Sequence, residues 1–318
     1  MDQRRLLTAA RCLSLCLRTC CLSFAKRVSG CRRFGRWTCH FAGRLPRSTQ
    51  LDISTVRYTD QAHVYLLADQ FPANEKDITR DLLLFITAYL PLEPGQDLPD
   101  QLSPRLPATN PDQPTRKHLH VIAHSLGAQA AILASVHAPA IFSSITVADP
   151  AMIPSGKINT AMAKLPKDIY CLNLPERFPT RASVEKELQV NKRTRGWDER
   201  VSRIFAQHGV VPDESGKGFR LAAQPRLEWA LYYDKQTPTE CYDRLMDVAV
   251  PFHAIMPARP FAVPPAMFKA DVAKMKQKTS VRWLEGTTHQ VLYEKMDACT
   301  AFVVQWLSEV AGLSRARL

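Results

Sequence analysis

The stretch that most constrains this chain runs His118-Leu119-His120-Val121-Ile122-Ala123-His124-Ser125-Leu126-Gly127-Ala128-Gln129-Ala130-Ala131. Leu119 to Ala123 is a short apolar run rich in Val and Ile, which predicts a buried strand. The chain turns at His124-Ser125-Leu126. Gly127 to Val136 is rich in Ala and Leu and predicts a helix. A Ser at the tip of a strand–turn–helix is the context of a nucleophile elbow. The strained turn lifts the hydroxyl above the strand end, and the helix N-terminus behind it favours developing negative charge. The pattern is G-x-S-x-G with Ala123 in place of the first Gly, and Ala is small enough for the turn. Taken alone, these five residues also fit an ordinary Ser in a strand–helix turn.

A nucleophilic Ser needs a base to take its proton and an acid to orient that base. His289 directly follows the last predicted strand, in the loop Glu285-Gly286-Thr287-Thr288-His289. That puts it at the carboxyl edge of the sheet, where Ser125 would also sit. Asp149 ends the strand after the elbow helix and keeps the chain order Ser…Asp…His. Before Pro150 it also reads as a turn-forming Asp. The loop Met256 to Phe261 holds no carboxylate, and Asp271 and Asp297 fall inside predicted helices. An oxyanion hole needs two N–H donors. Leu126, after the nucleophile, supplies one. The second belongs to a His-Gly loop after an earlier strand, and no such loop stands between Leu51 and the strand at 63–68. The early strands therefore read as truncated.

In chain order, His63 to Ala68 predicts a strand, and Glu75 to Leu90 an amphipathic helix with Ile78, Leu82, Phe85, Ile86 and Tyr89 on one stripe. Residues 91–116 are Pro-rich and predict a long loop. After the elbow, Ser144 to Ala148 is a strand. Residues 151–247 read as a mostly helical insertion, with helices at Val184 to Val190 and Glu199 to His208. Trp197, Trp229, Tyr232 and Tyr233 would give it an aromatic wall. Val248 to Ile255 predicts a strand, Val263 to Lys276 a helix, Ser280 to Leu284 the last strand and Glu294 to Val310 a closing helix. Strands alternating with helices imply an α/β domain with a mostly parallel sheet flanked by helices, the insertion acting as a helical lid.

Charge is uneven. Residues 1–50 carry eleven Arg and Lys against one acid, Asp2, and so hold most of the +12 net charge. The basic balance thus describes this segment and not a nucleic-acid surface on the domain. Its composition matches a mitochondrial transit peptide or a disordered tail, and no fold is assigned to it. Six of the nine Cys lie there, and Cys171, Cys241 and Cys299 are scattered through the rest. No pair has metal-ligand spacing and no disulfide framework is indicated. No run reaches the roughly 18 apolar residues of a membrane span. No cofactor or metal is expected.

These features resemble the α/β-hydrolase superfamily and, more narrowly, the fungal peroxisomal serine hydrolases of host-selective toxin pathways and the related peroxisomal lipase. The resemblance covers about 51–318. It rests on Ala123-His124-Ser125-Leu126-Gly127, Val147-Ala148-Asp149-Pro150-Ala151, Trp197-Asp198-Glu199-Arg200-Val201, Gln207-His208-Gly209, Gly286-Thr287-Thr288-His289 and the terminus Ala316-Arg317-Leu318. It implies nucleophile Ser125, base His289 and acid Asp149. The implied activity is hydrolysis of an acyl ester or thioester, in peroxisomal fatty-acyl metabolism or toxin biosynthesis. The tripeptide resembles the Ser-Lys-Leu peroxisomal address, with an import receptor as its partner; mitochondrion and cytosol are the alternatives. The competing function is a binding or scaffold protein on a hydrolase fold, motivated by the missing oxyanion loop. Epoxide hydrolysis is disfavoured, because it wants a carboxylate where Ser125 stands.

Overall fold

The computed structural model describes residues 75–89, 119–164, 174–222, 234–260 and 262–311. The expected strand at 63–68, the loop at 91–116, the basic segment 1–50, the aromatics Trp229, Tyr232 and Tyr233, and Ala316-Arg317-Leu318 lie outside these residues.

Helix α1, Glu75–Leu84, continues as a wider π turn over Phe85–Tyr89. The Thr87 hydroxyl donates to the Leu83 carbonyl at 2.7 Å and competes there for a ladder acceptor. Strand β1, His120–His124, passes straight into α2, Ser125–His137. Strand β2, Ser144–Ala148, follows, and then a short helix α3, Ile158–Lys164. The insertion holds β3, Arg177–Phe178, α4, Arg181–Val190, α5, Glu199–His208, β4, Val210–Pro212, and β5, Phe219–Leu221. It ends in α6, Gln236–Asp243. Then come β6, Phe252–Pro257, α7, Pro265–Val272, β7, Thr279–Leu284, α8, Val291–Glu294, and α9, Met296–Ala311.

Strands β1, β2, β6 and β7 form one sheet in that order, every neighbouring pair parallel. Each strand of a parallel sheet needs both faces covered, and β6 shows how. Phe252, Ala254 and Met256 enter a core with Ala128, Ile132, Phe268 and Val272. Ile255, on the other face, joins Val291, Leu292, Cys299 and Val303 from α8 and α9. This period-two split is strand geometry acting on a strand buried on both faces. Phe252 and Phe268 are fully buried, so truncating either to Ala costs about 3–5 kcal/mol.

Several details differ from the sequence expectation. Strand β6 begins at Phe252 and not at Val248, because Pro251 has no N–H for the ladder; its carbonyl accepts from Ile145 at 3.0 Å. Val248 and Val250 are buried all the same. The closing helix α9 begins at Met296 and not at Glu294, and a short helix α8 precedes it. Helices predominate among the described residues of the insertion, and to them is added an antiparallel sheet, in the order β3-β5-β4, that the sequence does not predict. Its hairpin turn needs Gly218, at φ 120°, where a Cβ would lie 2.4 Å from the Phe178 carbonyl. Thr180 caps α4 by a reciprocal hydrogen-bond box with Ser183, and the α5 N-cap is Asp198. Cys241 and Cys299 are buried free thiols. Among the described residues no helix is long and apolar enough to cross a membrane, and no group of His, Cys, Asp and Glu has a metal-holding arrangement.

Candidate active site

Strand β1 ends at His124, and α2 starts at Ser125 with φ 53°. A left-handed backbone at a residue with a Cβ is strained, and strain of this kind at a strand–helix junction is what an elbow requires. The first N–H groups of α2 have no acceptor inside the helix, and no side chain of His124 caps them. The Leu126 amide belongs to this open first turn.

Asp149 follows β2, the neighbouring strand, and is 1 % exposed. Its own φ is 35°. The Asp149 N–H donates to Ile255 at 3.2 Å, and two residues on Ala151 donates to the Ser125 carbonyl at 3.1 Å. The loop after β2 is thereby tied to the elbow. His289 follows β7 in a loop that turns at Gly286, φ 69°. The Thr287 hydroxyl closes this loop onto Leu284 at 2.6 Å. Glu294 accepts from both the Thr288 amide and its hydroxyl at 2.7 Å.

These three strand ends bring three side chains into line. His289 Nε2 lies 2.8 Å from Ser125 Oγ, and His289 Nδ1 lies 2.7 Å from Asp149 Oδ2. An Nδ1–H donated to the Asp149 carboxylate leaves the Nε2 lone pair facing the Ser125 hydroxyl. The arrangement can take a proton from Ser125 and stabilise the imidazolium that results. Asp271 accepts from Tyr242 and pairs with Lys274 at 3.2 Å, and Asp297 pairs with Arg200 at 3.0 Å. Both are committed elsewhere. The region expected to hold a second oxyanion donor lies outside the described residues.

The neighbours of His289 were not evident from the sequence. His124 Nε2 lies 2.7 Å from the His289 carbonyl oxygen, and the two rings are 4.8 Å apart. Burial, helped by the nearby His289, pushes the His124 pKa down to about 3. Tyr293 meets His124 edge-on at 5.5 Å. The Trp197 ring stacks on Tyr293 at 4.9 Å, and its N–H donates to Gln290. The Asp198 amide donates to the Tyr293 carbonyl at 2.9 Å. A His beside the elbow Ser and a Trp-Asp pair opening a helix were visible signals, but nothing local linked them to a loop some 90 to 165 residues away.

No family model and no curated protein sequence matches the chain. Among solved structures it is similar to an E-2-(acetamidomethylene)succinate hydrolase, at 18% identity and TM-score 0.47 over 61% of this chain and 68% of that one. It is similar to a peroxisomal α/β-hydrolase of Saccharomyces cerevisiae, at 17% identity and TM-score 0.47 over 61% of this chain and 53% of that one. It is also similar to the thioesterase domain of a curacin biosynthetic pathway, at 16% identity and TM-score 0.47 over 73% of each chain. The match therefore spans about half the length of the yeast protein. The parallel order β1-β2-β6-β7, the strained Ser at the β1–α2 junction, and an acid and a His after β2 and β7 give the described chain the α/β-hydrolase fold.

Proposed function

We propose that this chain is a serine hydrolase acting on acyl esters or thioesters. The observation that carries the reading is the aligned set Ser125 Oγ, His289 and Asp149, with hydrogen-bonding distances of 2.8 and 2.7 Å, built on a Ser at φ 53°. Ser125 Oγ attacks the acyl carbonyl carbon while its proton passes to His289 Nε2. The carbonyl oxygen becomes an oxyanion facing the Leu126 N–H at the head of α2. The intermediate collapses, the C–O or C–S bond breaks, and His289 returns the proton to the leaving alcohol or thiol. Water, deprotonated by His289, then attacks the acyl-enzyme and frees the acid and Ser125. Asp149 holds the imidazole in the required tautomer throughout.

A peroxisomal setting, read from Ala316-Arg317-Leu318, favours a fatty-acyl or polyketide-like acyl chain. The test is hydrolysis of p-nitrophenyl butyrate and decanoate and of acyl-CoA thioesters of the same lengths. Wild type turns over at least one class, and Ser125→Ala abolishes the turnover. A folded wild type inert toward all of them favours the second reading, a binding or scaffold protein. That reading draws on the absence of a His-Gly loop in the sequence between Leu51 and 63–68.

A further inference from the structure

We infer that His124, beside the nucleophile, is a positioning residue that holds the backbone of the catalytic base. The inference rests on the hydrolase reading and concerns the same site. A carbonyl oxygen can only accept, so the 2.7 Å contact between His124 Nε2 and the His289 oxygen fixes His124 as the donor through Nε2–H. His289 stands just past a turn at Gly286 and ahead of the four-residue helix α8. The loop's own hydrogen bonds, Thr287 to Leu284 and Thr288 to Glu294, fix the residues before it. His124 grips His289 itself. Ser125 and His124 are consecutive in the chain, so one rigid peptide carries both the nucleophile and the donor that locates its base.

The surroundings explain why this donor is an uncharged ring. The His124 and His289 rings are 4.8 Å apart. A cation at position 124 would oppose the imidazolium that His289 must become when it takes the Ser125 proton. Burial keeps His124 uncharged, and the Coulomb effect of His289 adds to it; the hydrogen bond to the His289 carbonyl acts the other way and is the smallest of the three. On its other side His124 meets the edge of Tyr293, which is backed by Trp197 and tied through its carbonyl to Asp198. The base loop is thus held between the elbow and the insertion. A displacement of about 1 Å between reacting groups can cost on the order of 10²-fold in rate.

The test uses the full chain and p-nitrophenyl butyrate. His124→Phe keeps a ring but has no donor, and His124→Gln keeps an N–H at comparable reach. His124→Phe should lower kcat by about 10²-fold with KM changed by less than about two-fold, while His124→Gln restores kcat to within about five-fold of wild type. Rescue by Gln separates hydrogen-bond donation from ring packing. Nitrogen chemical shifts of His124 in the wild type give a second readout that needs no variant. A neutral ring protonated at Nε2 from pH 8 down to pH 5 is expected, and a cationic ring or an Nδ1–H tautomer overturns the inference. A reactive wild type with His124→Phe equally fast also overturns it and leaves the hydrolase reading standing. An inert wild type removes both.

Discussion

Ser125 and Asp149 share an unusual backbone state: among the described residues they are the two non-glycine positions with positive φ, at 53° and 35°. They directly follow neighbouring parallel strands, and the loop after Asp149 is tied to the elbow by the Ala151 N–H donating to the Ser125 carbonyl. Strain of this kind costs on the order of 1–3 kcal/mol per residue. It persists because β1, β2 and the buried α2 fix the chain on either side. The strain aims Ser125 Oγ and Asp149 at one imidazole.

A separation of stability from activity follows. Gly at 125 relieves the left-handed strain, whereas Ala keeps the Cβ that causes it. Ser125→Gly should exceed Ser125→Ala in stability by about 1 kcal/mol in urea unfolding, with both variants inactive. Equal stability of the two would show that the turn is not strained.

Asp149→Asn keeps the shape but loses the charge that stabilises the imidazolium. It should cut kcat by at least about 10²-fold with little change in thermal unfolding, within the range acid–base groups supply. Asp271→Asn and Asp297→Asn should leave kcat near wild type, since those carboxylates are held by Tyr242 and Arg200. Activity that survives at 149 and dies at 271 or 297 would move the acid.

How much of this was legible in the sequence depended on range. The elbow is local: an apolar strand, a Ser and an Ala-rich helix within 20 residues. Asp149 and His289 stand out in the sequence because each follows a strand, and in the structure the His289 ring lies within hydrogen-bonding distance of both Ser125 and Asp149. The three-stranded sheet of the insertion was missed because strands of two and three residues show no periodicity. Its hairpin was nonetheless marked by Gly216 and Gly218. The grip of His124 on His289 joins residues 165 apart and leaves no local trace. The stacking of Trp197 on Tyr293 likewise leaves no local trace, because an aromatic residue in an insertion carries no mark of what it will stack against.

Two imidazoles withdrawn from water, half-buried His124 and fully buried His253, should make the fold sensitive to acid. Burial is the main cause in both: His124 is pushed down to about 3 and His253 to about 4, with Arg282 adding to the latter. In the unfolded chain each takes up a proton near the ordinary histidine value of about 6.5. Above that neither state is charged and there is no penalty. As pH falls from about 6.5 toward 4 the unfolded state binds more protons and stability drops. By pH 5 each contributes a loss on the order of 2 kcal/mol. Urea unfolding from pH 7.5 to pH 5 should show this slope, and His253→Asn should remove about half of it. A slope that His253→Asn leaves unchanged would place the titrating groups elsewhere.

The terminus Ala316-Arg317-Leu318 makes a separate prediction about location. If an import receptor reads it, the free carboxyl end is required. Deleting Leu318 from a fluorescent fusion that leaves the C-terminus free should move it from peroxisomes to cytosol. Unchanged targeting would shift the role to the basic residues 1–50.

The most direct measurement is mass-spectrometric peptide mapping of the folded full chain after reaction with a fluorophosphonate. A single adduct on Ser125 is expected, suppressed by at least about 10²-fold in His289→Ala, where no base takes the proton. Folded wild type with Ser125 unmodified, or with label on another Ser, would contradict the assignment of Ser125 as nucleophile.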